Sequence, residues 1–150
     1  MKIYLGADHN GFARKRELAE YLQKNGYEVV DEGDAKAQPE DDFPQFAGRV
    51  VAAMRGDHDP ATARGILICG SGQGMCMAAN RFRGIRAALA FDQEEARASR
   101  NDEDSNILCL SARYTDFDTT VGIVHTWLMT SFAGAPRFKR RIQQLDELGG

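Results

Sequence analysis

The sequence predicts an α/β protein, a Rossmann-like three-layer αβα sandwich with a five-stranded parallel sheet and an extra C-terminal helix. Two observations predict this fold. Short apolar runs alternate with longer segments of helical periodicity, a pattern typical of parallel sheets covered on both faces. One apolar run, residues 66–68, is followed by glycines at alternate positions from Gly70 to Gly74, as at a turn from a strand into a helix. At 150 residues and 43% apolar content, we expect a single domain spanning residues 1–150.

The first elements end at clear stop signals. Residues 2–7 form an apolar run that reads as a first core strand and not as a signal peptide. A helix over 11–25 stops at Gly26, a residue type favoured at helix C-termini. A second strand covers 27–30, and the acidic stretch 33–42 is predicted to be an exposed loop.

The rest of the chain continues the alternation of helices and strands. The predicted elements are helix 43–55, a strand ending at Cys69, helix 74–82, strand 85–91, helix 92–100, strand 107–110, helix 119–132 and a last helix from Pro136 to about residue 148. Proline suits the first turn of a helix, because the N–H that it lacks is not needed there.

Composition excludes several classes of protein. The net charge of −3 gives no basic excess for binding nucleic acid. No apolar run approaches the length that crosses a membrane, so no membrane contact is expected. The three cysteines form no close pairs, which suits the reducing cytoplasm. The histidines, His9, His58 and His125, are scattered, and neither a metal nor a cofactor is expected.

The glycine-rich stretch after the central strand is the main functional signal. Where a strand turns through glycines into a helix, backbone N–H groups converge and the helix dipole adds partial positive charge, which suits an anion. Cys69 stands at the mouth of this turn, where the thiolate is favoured over the thiol. Asp8 and His9 follow the first strand, and ligands of such sheets bind at the carboxyl ends of the strands. We therefore expect Asp8, His9 and Cys69 to form one site.

Several motifs together resemble one protein family. They are GADHNGF at 6–12, D-F-P at 42–44, ILICGSGQGMCMAANRFRGIRAAL at 66–89, NILCLSAR at 106–113 and RFKRR at 137–141. In this order, over nearly the whole chain, they are similar to the type B ribose-5-phosphate isomerases, the family that also holds galactose-6-phosphate isomerase subunits. The resemblance implies one sugar-phosphate isomerase domain. It would interconvert an aldose and a ketose, ribose 5-phosphate and ribulose 5-phosphate by default, through an enediolate.

The resemblance also implies roles for single residues. Cys69 would be the base that moves a proton between adjacent carbons, and Ser71 would relay or position a proton. Asp8 would hold sugar hydroxyls, and His9 would meet the phosphate or the sugar chain. The developing negative charge would be held by the N–H groups of Gly70, Gly72 and Gly74. The other residues implied in substrate or phosphate binding are Asn106, Arg113, Arg137 and Arg141.

Two of these arginines indicate how a phosphate would be held. Arg137 and Arg141 are four residues apart, so on a helix they share a face and can close on one dianion. The resemblance implies that some of the phosphate-binding arginines act across a dimer interface. We therefore expect a homodimer, or a tetramer built from it, with shared active sites.

Two positions depart from the family pattern. Where the family usually reads S-R-x-H-N-D, residues 99–104 read SRNDED, so Asp102 replaces the histidine assigned to ring opening and Glu103 replaces the asparagine. Asp102 is the candidate general acid or base there, although a carboxylate in an exposed acidic turn has no evident reason to be buried. Phe43 stands where tyrosine is common, which removes a hydroxyl group.

The missing histidine suggests a substrate that needs no ring opening. A four-carbon sugar phosphorylated on its last carbon cannot close a furanose ring, because the hydroxyl group that would close it is esterified. Tetrose or tetrulose phosphates are thus an alternative to the pentose phosphate.

Two further functions stay open. The G-S-G-Q-G stretch could cradle a nucleotide phosphate, with Asp92 as the acid that binds the ribose, although its spacing differs from G-x-G-x-x-G. A sugar-phosphate-binding subunit without catalysis would keep the same anion pocket. The lost histidine favours that reading, and the retained Cys69 opposes it.

Overall fold

The computed structural model describes residues 1–149, and it is an αβα sandwich around one five-stranded sheet. The strands are β1 Lys2–Ala7, β2 Glu28–Asp31, β3 Arg64–Cys69, β4 Ala87–Leu89 and β5 Ile107–Ser111. The helices are α1 Phe12–Lys24, α2 Phe43–Arg55, α3 Gln73–Ala79, α4 Gln93–Glu103, α5 Phe117–Met129 and α6 Pro136–Glu147. The strand order is β2-β1-β3-β5-β4, and every pair is parallel. The predicted fold class, including the extra C-terminal helix, is confirmed.

Two apolar layers cover the two faces of the sheet. On one face α1, α4 and α5 pack against alternate strand residues, among them Ile66 and Ile68. On the other face α2 and α3 pack against Leu67 and Cys69. Successive side chains of β3 therefore enter opposite layers, as expected for a strand that is buried on both sides. Cys69 ends this strand on the side of α2 and α3.

The three central strands end level with one another. Ala7 pairs with Ile68, and Cys69 pairs with Ser111. The residues that directly follow these strands form what we call the carboxyl edge, namely 8–11, 70–74 and 112–114. The amino edge is formed by the residues that precede the same strands and β4, namely 63, 84–86 and 104–106.

Several predicted boundaries shift in the structure. The strand expected over 85–91 spans only Ala87–Leu89. The Asn106 side chain, and not a neighbouring strand, accepts from the Arg86 N–H, so regular pairing begins one residue later. Helix α4 continues past Arg100 to Glu103 and ends at Asp104, which adopts a left-handed conformation with φ of 48°. Capping by Asp116 starts α5 two residues earlier than expected, at Phe117.

Helix α6 lies along the amino edge. Just before this helix, the Ala133 N–H donates to the Asn101 carbonyl in the last part of α4. The far end of the helix, at Leu145 and Leu148, borders the same groove as residues 80–88, which lead into β4. Because α4 ends and β4 begins at the amino edge, both ends of α6 lie there, away from Cys69. None of the helices in residues 1–149 combines the length and apolar character that a membrane crossing needs.

Candidate active site

The D-H-N-G turn after β1 forms the first part of the site. Asp8 Oδ1 accepts hydrogen bonds from the N–H groups of Asn10 at 2.9 Å and Gly11 at 3.1 Å, so the carboxylate folds the turn back on itself. A Cβ atom at Gly11 would lie 2.4 Å from the Ile68 carbonyl oxygen, so only glycine lets the turn approach β3 this closely. The turn therefore brings Asp8, which is 6% exposed, beside the end of the strand that carries Cys69.

The glycine loop after β3 wraps around the cysteine. Gly72 has φ of +80°, and a Cβ atom on it would lie 2.6 Å from Leu89 Cδ1, so glycine is required here. In this conformation the Gly72 N–H donates to Cys69 Sγ at 3.2 Å. A hydrogen-bond donor at this distance stabilises negative charge on sulfur. The sequence predicts that the N–H groups of Gly70, Gly72 and Gly74 hold an anion, whereas in the structure the Gly72 N–H donates to the cysteine sulfur. Helix α3 is also shorter than expected.

The Ser71 hydroxyl group uses only part of its hydrogen-bonding capacity. Its Oγ accepts from the Gln73 N–H at 3.3 Å. The O–H of the same hydroxyl group donates to no partner in residues 1–149, so it is available to a ligand. Ser71 is half-buried in the loop that also holds Cys69.

Arg113 brings a positive charge to the loop. Its backbone N–H donates to the Gly70 carbonyl at 3.0 Å. A Cβ atom at Gly70 would lie 3.2 Å from Arg113 Nη2 and 3.6 Å from Asn10 Cγ, so the guanidinium group covers the start of the loop next to the D-H-N-G turn. Within residues 1–149 this guanidinium group forms no hydrogen bond or ion pair, which leaves its donors available to an anion.

His9 is held by a carboxylate from a distant part of the chain. Asp41 Oδ1 accepts from the His9 backbone N–H at 3.0 Å and contacts His9 Nδ1 at 2.8 Å. The hydrogen bond to Asp41 raises the pKa of His9 above its ordinary value, and the charge of Asp8 acts in the same direction. The imidazole is 33% exposed, so it can still meet a ligand.

Phe43 closes the site from the start of α2. A Cβ atom at Gly74 would lie 2.8 Å from the Phe43 ring carbon Cζ, so the ring packs directly on the glycine loop. The para position of this ring carries no hydroxyl group, as the sequence requires. Phe43 therefore contributes an apolar wall to the site.

The remaining predicted site residues lie at the amino edge. The Asn106 carbonyl accepts from the Gly65 N–H, and Cys69 lies four residues further along β3, about 13 Å away at the rise of a parallel strand. The Asn106 side chain accepts from Arg86 N–H and donates to the Gly84 carbonyl, so both of its polar atoms hold the segment before β4. Within one chain Asn106 therefore lies far from Cys69, and its side chain stabilises the segment before β4.

Asp102 and the arginines of α6 are also separated from Cys69 within one chain. Asp102 lies in the last turn of α4, half-buried, and accepts from Asn101 Nδ2 at 2.8 Å. The expectation that it lies in an exposed turn is wrong, because α4 continues through Glu103. Arg137 and Arg141 lie on α6 with exposed side chains.

Comparison with known proteins identifies the family. The family model described as Ribose/Galactose Isomerase matches residues 3–145. The chain belongs to this family. It is 37% identical over 138 residues to the probable ribose-5-phosphate isomerase B of Mycoplasma pneumoniae, covering 92% of this chain and 89% of the relative. With ribose-5-phosphate isomerase B of Escherichia coli it shares 35% identity over 147 residues, covering 98% and 95% of the two chains.

Solved structures agree with this family assignment. Ribose-5-phosphate isomerase B of Clostridium thermocellum has a TM-score of 0.91 and 41% identity, covering 98% of this chain and 96% of the other. The enzyme of Mycoplasma genitalium with bound ribulose-5-phosphate has a TM-score of 0.89 and 34% identity, covering 97% and 94% of the two chains. The predicted family and fold are therefore confirmed.

Two groups of the candidate site were missed by reasoning from sequence. The sequence predicts Asp41 only as one acidic residue of an exposed loop, and no spacing in the sequence connects it to His9. Asn10 was read only as part of a motif, yet its side chain lies between the D-H-N-G turn and Gly70. The contact with Gly70 is tertiary, so a pattern of local residues could not reveal it.

Other ligands of the site can be judged from the same geometry. Asp92, the acid considered for a nucleotide ribose, accepts from the Glu95 N–H at 2.8 Å and caps α4. Potential metal-ligating atoms of Asp8, His9 and Asp41 lie within 4.8 Å of one another. However, His9 Nδ1 is already bonded to Asp41, and Asp8 Oδ1 already accepts two N–H groups. The chain thus presents a cysteine, a hydroxyl group and a cation at one edge of the sheet, an arrangement that suits proton transfer on an anionic substrate.

Proposed function

We propose that the chain interconverts ribose 5-phosphate and ribulose 5-phosphate, with Cys69 as the base. The single observation that carries the proposal is the Gly72 N–H that donates to Cys69 Sγ, because it aims a hydrogen-bond donor at the nearly buried sulfur atom that would act as the base. The relatives over almost the full chain are named ribose-5-phosphate isomerase B, and one related structure contains ribulose-5-phosphate.

The reaction can be written with these residues. The Cys69 thiolate removes the proton from C2 of the open-chain aldose, which leaves an enediolate, and then returns that proton to C1. A second proton passes from O2 to O1, and the Ser71 hydroxyl group is close enough to the loop to carry it. The N–H groups of Gly70 and Gly74 and the guanidinium group of Arg113 stabilise the negative charge. Asp8 accepts hydrogen bonds from sugar hydroxyl groups.

We also propose that the working enzyme is a cytoplasmic homodimer in which each site draws on both chains. Arg137 and Arg141 suit a phosphate dianion, but they lie on α6 at the amino edge of their own chain. Cys69 lies at the carboxyl edge, so a second copy is needed to bring the two sets together. All three cysteines are free, in keeping with a reducing compartment.

A second candidate substrate is an open-chain tetrose phosphate. The observation that favours it is Asp102, which stands where the family usually has a ring-opening histidine. Its carboxylate accepts from Asn101 and lies next to Glu103 and Asp104, in surroundings that are acidic and not basic. A sugar that cannot form a furanose ring would not need a group at this position.

Proton NMR in deuterated water tests both candidates. Ribose 5-phosphate and erythrose 4-phosphate are added in separate tubes to the wild type and to Cys69→Ala. We expect ketose formation and deuterium at C2 of the recovered pentose with the wild type only. Exchange with the tetrose alone would move the assignment to the open-chain substrate, and no exchange in either tube would contradict an isomerase acting on these sugars.

A further inference from the structure

One carboxylate that contacts His9 has no role in the reaction written above. Asp41 lies two residues before α2, and its side chain is only 6% exposed. Within residues 1–149, the hydrogen bonds that its side chain accepts both come from His9, one from the backbone N–H and one from Nδ1. Burying a carboxylate is costly unless it is paired, so this side chain is committed to His9.

The pairing decides how the imidazole is protonated. A carboxylate only accepts hydrogen bonds, so Nδ1 must carry a proton and Nε2 is the nitrogen left for a ligand. Because the hydrogen bond to Asp41 raises the pKa of His9, the imidazolium form is favoured, in which Nε2 also carries a proton. His9 is therefore prepared as a positively charged donor.

The loop that carries Asp41 is fixed from two sides. Lys15 on α1 is fully buried, and its Nζ donates to Asp31 Oδ1 at 2.9 Å and to the Asp34 carbonyl at 3.3 Å. Arg49 on α2 pairs with Asp34 Oδ1 at 3.0 Å. Both side chains contact Asp34, which precedes Asp41 in the same loop. These contacts anchor the loop backbone from which the Asp41 carboxylate contacts His9.

We propose that Asp41 is a positioning residue that holds His9 with its Nε2–H turned toward the phosphate or sugar oxygens of the substrate. The inference rests on the proposed function, since it assigns a role in binding the same sugar phosphate. The charged groups that act on the imidazole are Asp8 on its own turn and Asp41 on the loop before α2. The guanidinium group of Arg113, after β5, lies over Gly70, as does the side chain of Asn10. Asp41 acts through His9 and touches no substrate atom.

Kinetics of Asp41→Asn and Glu40→Gln test the role. The first variant keeps an oxygen acceptor of the same shape but removes the charge, and the second removes one negative charge from an exposed neighbour in the same loop. At pH 6.5, the ordinary pKa of histidine, we expect KM of Asp41→Asn for ribose 5-phosphate to rise about 10-fold, with kcat changed less than about 3-fold, since a charge-assisted hydrogen bond is weakened. Glu40→Gln should keep both constants.

The pH dependence gives a signature that a merely structural role would not produce. The imidazolium exists below the pKa of His9, so binding weakens as pH rises through that pKa. In Asp41→Asn the pKa is lower, so the same loss begins at lower pH. Titration of the substrate phosphate affects both proteins equally, and the difference between their profiles isolates His9.

Two further measurements can overturn the proposal. In a His9→Gln background, Asp41→Asn should cause no additional rise in KM, and an equal rise in both backgrounds would show that Asp41 acts without His9.

Nitrogen-15 NMR of the free protein, titrated with inorganic phosphate, should show His9 Nδ1 protonated and Nε2 shifted by phosphate. An unchanged His9 pKa and tautomer in Asp41→Asn would refute the role. If turnover is absent but phosphate still shifts Nε2, the proposed function fails and the positioning of His9 stands.

Discussion

The two edges of the sheet use their polar side chains in different ways. At the amino edge, polar groups bond to one another or to backbone. Asp104 accepts from both Arg100 and Arg86, and Asn106 holds the segment before β4. These contacts satisfy the hydrogen-bonding groups of Asp104 and Asn106 and stabilise the turns into β4 and β5. Few donors or acceptors of these side chains are therefore left for a ligand.

At the carboxyl edge, several groups keep unused hydrogen-bonding capacity. Within residues 1–149 the Arg113 guanidinium group forms no hydrogen bond or ion pair and the Ser71 hydroxyl group donates to no partner, while His9 Nε2 faces away from Asp41. Backbone contacts with Gly70 and Gly72 position these groups and Cys69. The difference favours the carboxyl edge as the place of the proposed chemistry. In the proposed dimer, the exposed arginines of α6 are the part of the amino edge that would serve a second copy.

The largest expected effect comes from removing the proposed base. Cys69→Ala should lower kcat by at least about 100-fold, because a general base contributes on the order of this factor or more. The fold should be kept, since Cys69 makes its polar contact only with the Gly72 N–H in residues 1–149. Cys76→Ala is the matched control, because Cys76 lies on α3 and contacts the Ala87 carbonyl. A Cys69→Ala enzyme with a near-normal rate would contradict the mechanism.

Gly72 in the loop after β3 and Gly84 in an exposed turn both have positive φ. The cost of replacing glycine by alanine can therefore be compared between the loop and an ordinary turn. Gly72→Ala should cost about 2–4 kcal/mol in the free energy of unfolding, because the left-handed backbone and the contact with Leu89 both oppose a Cβ atom. Gly84→Ala, at φ of +79° with open space around it, should cost only about 1 kcal/mol. Urea unfolding measures both. Equal losses would mean that the packing around Gly72 is looser than described.

The smallest expected effect concerns acid stability on the side of the sheet covered by α2. The Tyr4 hydroxyl group donates to Asp57 and lowers the pKa of that carboxyl group, while burial and this bond raise the pKa of Tyr4 to about 12. A lowered carboxyl pKa contributes stability that is present above the unfolded value of 3.8 and is lost as pH falls through the folded value.

Tyr4→Phe should therefore lose part of this acid dependence. At pH 7 the variant should be less stable than the wild type, and the difference should shrink below about pH 4 as Asp57 becomes protonated. Thermal unfolding at several pH values provides the measurement. A stability difference that stays constant over this pH range would show that Tyr4→Phe affects only packing, and not the hydrogen bond to the Asp57 carboxylate.

Most of the fold could be predicted because its signals are local. The apolar run at 66–68, the cap at Gly26 and the proline at the start of α6 each act within a few residues. The motif around Cys69 was equally local, since Gly72 reaches the sulfur from three residues away. These features are fixed by backbone conformation and short-range packing.

The errors and omissions come from long-range contacts. The strand predicted to start at residue 85 starts instead at Ala87, because the Arg86 N–H donates to the side chain of Asn106, twenty residues further along the chain. The bond between His9 and Asp41 spans thirty-two residues. The placement of Asn106, Asp102 and α6 at the opposite edge follows from the path of α4 along the sheet. Sequence motifs indicate which residues belong to one site, but they do not show whether one chain or two must supply them.

Subunit complementation tests most directly whether the site is shared. Cys69→Ala and the double variant Arg137→Ala/Arg141→Ala are each expected to be nearly inactive as homodimers. After equal amounts exchange subunits, half of the dimers are mixed, and each mixed dimer has one complete site. The account predicts recovery of about a quarter of the wild-type activity with ribose 5-phosphate. Mixed dimers that form, as seen by mass spectrometry, but recover no activity would contradict a site built from both chains.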